Sequence, residues 1–104
     1  MTNISRQIQK IVRAIVKGYQ PEKVILYGSS AFGKMTPDSD VDFLVIKETK
    51  KNPWVRLLEV DRYIDHAVPI DVLVYTPHEI EKRLSYGDYF IEDIMKTGKV
   101  LYAK

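Results

Sequence analysis

Ile4, Ile8, Ile11, Val12, Ile15 and Val16 recur at three- and four-residue spacing, with Arg6, Lys10, Arg13 and Lys17 mostly on the other faces. The pattern predicts an amphipathic helix ending near Gly18, with its apolar stripe turned to a core rather than to a membrane or a nucleic acid. After a turn at Pro21-Glu22, the run Lys23 to Tyr27 is short, mostly apolar and rich in β-branched residues. It reads as a buried strand bounded by Pro21 and Gly28. Val41 to Ile46 reads as a second strand, apolar on both faces after Asp42, and Pro69 to Tyr75 as a third. Strands apolar on both faces belong to a sheet covered on both sides.

Between the first two strands, Ser29 to Lys34 starts a short helix and Met35 to Ser39, with Pro37 and Asp38, forms a loop. The charged stretch Lys47 to Asn52 is a solvated connection. Asn52 caps the helix that Pro53 opens, and Trp54, Leu57, Leu58, Asp61, Ile64 and Val68 fall on one stripe of it. That spacing turns Trp54 to the core. Thr76-Pro77-His78-Glu79 has the form of a capping box, with a helix to about Ser85. Tyr86-Gly87-Asp88 breaks it, and Asp88 caps a further helix with the stripe Ile91, Ile94 and Met95. Thr97-Gly98-Lys99 ends that helix, and Val100 to Tyr102 is a last short strand. The expected class is α/β (α+β): one domain over residues 1–104, with a small mixed β-sheet of three to four strands flanked by helices.

Composition narrows this picture. A chain of 104 residues has room for one modest core. Sixteen basic and 14 acidic residues give a net charge of +2, so charge does not point to nucleic acid. With no cysteine, disulfides, zinc-thiolate centres and cysteine nucleophiles are excluded. The opening Met-Thr-Asn-Ile-Ser-Arg lacks the apolar run of a signal peptide, and no stretch approaches the ~20 apolar residues that cross a bilayer. A cytoplasmic location is expected.

The candidate chemistry lies between the first two strands and in the third. Asp40 and Asp42 are two apart at the start of a strand, so their carboxylates point to one side. Like charges that close repel unless a cation sits between them, and hard oxygen ligands suit Mg2+ or Mn2+. Asp71 is a lone acid in an otherwise uncharged strand, which is costly away from a partner or a site. If its strand neighbours that of Asp42, three acids make a metal site suited to phosphoryl or nucleotidyl transfer. Asp38, Asp40 and Asp42 also have the spacing that opens a calcium-binding loop, but Phe43 stands where that loop needs glycine and Thr49 where it needs glutamate. Purely structural acids, capping turns at strand ends, are the bland reading. Gly28-Ser29 ends a strand where free N–H groups and a close backbone approach favour phosphate.

Gly28-Ser29, ten residues, then Asp40-x-Asp42 is similar to the signature of the nucleotidyltransferase superfamily of the DNA polymerase β type. The short chain with G-S-x-A-x-G and S-D-x-D resembles its minimal nucleotidyltransferase (MNT) group. The resemblance implies a nucleotidyltransferase fold. It implies that Asp40, Asp42 and Asp71 are the catalytic, metal-binding acids, with Asp71 helping to deprotonate the acceptor hydroxyl. Gly28, Ser29, Ser30, Gly33 and Ser39 would bind the nucleotide, with Ser29 holding the terminal phosphates. It implies Mg2+ (or Mn2+) and ATP as substrate, and transfer of AMP to a hydroxyl of a partner protein. That partner would be a helical HEPN-type toxin to which this chain is the antitoxin, with self-association left open. Many relatives carry arginine two and four residues after the first glycine, where this chain has Ser30 and Phe32. A module that neutralises its partner by contact alone is therefore the alternative. Lys34 is near enough to substitute for the missing charge. His66 and His78 lack metal-ligand spacing and are expected on the surface, and Tyr86, Tyr89 and Tyr102 are expected to form an aromatic contact surface.

Overall fold

The computed structural model describes residues 6–28, 31 and 40–104. The short helix expected at Ser29–Lys34, the loop to Ser39, and the site candidates Ser29, Ser30, Gly33 and Ser39, with Lys34, lie outside the described residues, apart from Ala31.

The first apolar stripe forms α1 (Arg6–Tyr19), which buries Ile8, Ile11, Val12, Ile15 and Tyr19. The helix runs one residue past Gly18, which is a contact point. A Cβ there would stand 2.2 Å from the ring of Tyr63. Gln20, at φ 55, ends the helix in the left-handed conformation that follows many helix C-termini.

β1 (Lys23–Tyr27), β2 (Val41–Ile46), β3 (Ile70–Tyr75) and β4 (Lys99–Ala103) form one mixed sheet in the order β3-β2-β1-β4. β1 is antiparallel to β2 and β4, and β2 is parallel to β3. Alternation along the strands divides two cores. Val24, Leu26, Val41, Phe43, Val45 and Val74 face α1 in the larger one, with Ile64 and Val68 packed against it. Ile25, Leu44 and Ile46 face the other way and meet Ile80, Ile91 and Ile94. Helices thus cover both sides of the sheet, as continuous apolar strands require.

Those last residues come from α3 (Pro77–Ser85) and α4 (Tyr89–Thr97). The capping box at α3 is complete: Thr76 Oγ1 accepts from the Glu79 N–H at 3.1 Å, and Glu79 Oε1 accepts from the Thr76 N–H at 2.8 Å. Asp88 Oδ1 accepts from the N–H groups of Phe90 and Ile91 at 3.0 and 3.2 Å, which fixes the start of α4. Among the described residues no helix is long and apolar enough to cross a membrane.

The helix after Asn52 departs from expectation. α2 (Pro53–Asp61) begins at the predicted cap but stops at Asp61, so Ile64 and Val68 are not part of its stripe. It buries Arg56 and Val60, whereas Trp54 is 68% exposed and Leu58 54%. Arg56 sets this face. Its guanidinium donates to the Lys51 carbonyl at 2.8 Å and forks onto Glu79 at 2.7 and 3.2 Å. A buried charge needs such partners, and only one rotation of the helix supplies them. The expected aromatic surface also divides. Tyr86 and Tyr89 are exposed, but Tyr102 packs against the larger core. His66 is exposed and lies 3.0 Å from Asp61, and His78 is exposed as expected.

Candidate active site at the acid end of the sheet

β1 delivers Gly28 at its end, and β2 begins beside it. The ladder pairs Tyr27 with Asp42 across the antiparallel β1/β2 pair. On the far side of β2, the parallel ladder pairs Asp42 with Asp71. Asp42 therefore stands between Tyr27 and Asp71 in one row across three strands. By strand alternation all three side chains lie on the face of Ile25, Leu44 and Leu73, the face covered by α3 and α4. Asp40 precedes β2 by one residue and is exposed. The neighbouring strand on which the sequence argument for Asp71 depended is present, in register.

The electrostatics follow from this crowding. Burial pushes the Asp42 carboxyl above the usual carboxylate range, and the charges of Asp71 and Asp40 push it further the same way. Ionised Asp42 thus costs the fold stability. The favourable contribution is complete below the ordinary carboxylate range and is lost as pH rises through the raised value. Tyr27 responds to the same charges. Burial, then Asp42 and Asp71, then Tyr75, push its phenol up to about 12, so it remains a neutral hydroxyl.

Gly28 is required twice. Its φ of 77 lies in the left-handed region, and a Cβ there would stand 2.7 Å from Asp42 Oδ2. The turn therefore presses its backbone against the carboxylate. The Ala31 N–H donates to the Gly28 carbonyl at 3.1 Å, and the Ala31 side chain is buried in the larger core.

The donor set suits a hard divalent ion: carboxylate oxygens on one face, with a carboxyl whose ionisation is opposed by its neighbours. Among the described residues no group of three His, Cys, Asp or Glu side chains is placed to hold a metal ion, so the fold shows the Asp42–Asp71 pair and not the full three-acid cluster expected from the sequence. Of the expected site residues, the fold gathers Gly28, Asp40, Asp42 and Asp71 at one end of the sheet.

Two features escaped the sequence argument. Phe90, in the first turn of α4, meets the Tyr27 ring edge-on with centroids 5.7 Å apart and planes at 87°. Its signal was position, since it lies off the buried Ile91/Ile94 stripe. Arg83 stacks 4.7 Å over the ring of Tyr75 and pairs with Asp88 at 3.2 Å, which brings a cation to the same face of the sheet.

This combination of a mixed sheet, a glycine turn and paired strand acids defines a nucleotidyltransferase-type domain. The chain belongs to the nucleotidyltransferase domain family, whose model matches residues 5–101. It is 28% identical over 102 residues to the "Putative protein adenylyltransferase MJ0604" of Methanocaldococcus jannaschii, covering 96% of this chain and 99% of that protein. Its fold is similar to the crystal structure of "a putative nucleotidyltransferase" from Sulfolobus solfataricus, with a TM-score of 0.67 and 20% identity over 95% of this chain and 79% of that one.

Proposed function

We propose that this nucleotidyltransferase domain transfers AMP from ATP, with Mg2+ or Mn2+, to a hydroxyl of a partner protein. The observation that carries the reading is the in-register placement of Asp42 opposite Asp71, with Asp40 nearby and the Gly28 turn against Asp42. The name of the Methanocaldococcus relative supports the choice of a protein acceptor.

Asp40, Asp42 and Asp71 would hold the metal, which when bound supplies positive charge to the triphosphate and acidifies the acceptor hydroxyl. The close backbone approach at Gly28 sets its turn against Asp42, and the absence of a side chain there would let a phosphate approach the backbone. Asp71 sits on β3, the strand at the edge of the sheet, and is exposed, so an acceptor can reach it from solvent. There its carboxylate takes the acceptor's proton while the acceptor oxygen bonds the α-phosphorus and pyrophosphate leaves.

The acceptor we propose is a helical HEPN-type toxin, with this chain as its antitoxin. Ser30 and Phe32, where many relatives carry arginine, favour one second reading: neutralisation by contact alone. A single assay separates the two. The protein is incubated with labelled ATP, Mg2+ and the helical partner, and label on the partner is measured. Transfer is expected, and it falls by several orders of magnitude in Asp40→Ala/Asp42→Ala. Transfer that persists in the double variant refutes the metal assignment, whereas neutralisation that persists without transfer supports contact alone.

A further inference from the structure

We infer that Phe90, backed by Tyr27, forms the ledge on which the purine base of the nucleotide lies. The inference rests on the nucleotidyltransferase reading and deepens it. Tyr27 is the direct cross-strand partner of Asp42, so its ring flanks the acids without an intervening residue. Phe90 meets that ring edge-on. Such a contact uses one edge and one face, and leaves other ring faces free.

Phe90 is 50% exposed although it stands beside the smaller core, while its neighbour Ile91 is fully buried. Half of the ring therefore stays open to solvent beside Tyr27, where a ligand could meet it. Its backbone is also held in place. Asp88 takes the N–H groups of Phe90 and Ile91, and Asp88 is itself paired with Arg83. A fixed, accessible ring next to a triphosphate site has the attributes of a stacking platform, because every base presents a flat π-face. Stacking reads area more than hydrogen-bond pattern, so the ledge favours purine over pyrimidine nucleotides without sharply separating ATP from GTP.

Calorimetric titration of the intact protein with two probes tests this, using ATP and inorganic tripolyphosphate, each with Mg2+ and without acceptor. Phe90→Leu is expected to weaken ATP by about tenfold while tripolyphosphate binds as to wild type, and Phe90→Tyr is expected to bind ATP normally. Circular dichroism confirms that both variants fold. Unchanged ATP affinity in Phe90→Leu overturns the inference, as does an equal loss for both probes. A wild-type protein that binds neither probe removes the nucleotidyltransferase reading itself, a result distinct from all of these.

Discussion

On β2, Val41, Phe43 and Val45 turn to α1, whereas Asp42, Leu44 and Ile46 turn to α3 and α4. One strand thus serves two purposes by parity alone. The α1 face is closed by a continuous apolar cluster in which Ile15, Val24, Leu26 and Phe43 are fully buried. The α3/α4 face holds a smaller cluster that ends at Asp42, Asp71 and Tyr27, where polar groups crowd one another. The larger face carries stability and keeps the strands in register. The smaller face can then tolerate an arrangement of like charges that works against folding. Strain at a site, supported by a rigid neighbour, is how one small domain accommodates both demands.

Substitutions on the two faces should therefore fail in different ways. Phe43→Ala, at a fully buried position in the larger core, is expected to cost about 4 kcal/mol in denaturant unfolding and to lose activity only as the fold is lost. A cost below about 1 kcal/mol would show that the α1 face is not the main support. Arg56→Ala should follow, at about 2 kcal/mol, because it removes the guanidinium bonds to the partly exposed Glu79 carboxylate, which keeps its bond from the Thr76 N–H, and the contact with the Val74 carbonyl. That loss has a pH signature. Burial opposes ionisation of Glu79, but the hydrogen bond from Arg56, the Thr76 N–H and the Arg56 charge outweigh it and hold the carboxyl below its ordinary value. The stabilisation is present above the ordinary carboxylate range and is lost as pH falls through the depressed value. The wild-type advantage over Arg56→Ala should shrink in acid, as read from unfolding midpoints at several pH values. The smallest effect belongs to Trp54→Ser, expected within about 0.5 kcal/mol of wild type because the indole lies mostly in solvent. A large loss there would mean that the indole is buried against a partner in solution.

The comparison also shows what was legible in the sequence. Local signals survived intact. Asn52, Thr76 with Glu79, and Asp88 cap the helices they were expected to cap, because capping is a contact within three or four residues. Strand extents were legible from β-branched runs between breakers, but the lone acid in β3 is exposed on the edge strand, so its burial cost could not reveal the neighbour; the register that pairs Asp71 with Asp42 comes from the sheet. Long-range choices were hidden. Nothing in the spacing of Trp54, Leu57 and Leu58 reveals that Arg56 finds Glu79 some 23 residues later and turns the helix toward it. Phe90 was hidden for the same reason, because its significance depends on Tyr27, a residue of β1 more than sixty positions earlier in the chain.

Burial, Asp71 and Asp40 all oppose the ionisation of Asp42, a cost that the proposed metal–nucleotide complex would offset. Thermal unfolding of wild type and Asp42→Asn at pH 7, each with and without Mg2+ and ATP, measures both halves together. Without ligand the variant is predicted to melt above wild type, because it removes a charge that burial, Asp71 and Asp40 all oppose. With ligand, wild type is predicted to gain stability and the variant to gain little, so that their order narrows or reverses. A variant that melts below wild type without ligand, or that gains as much as wild type with it, would contradict the account.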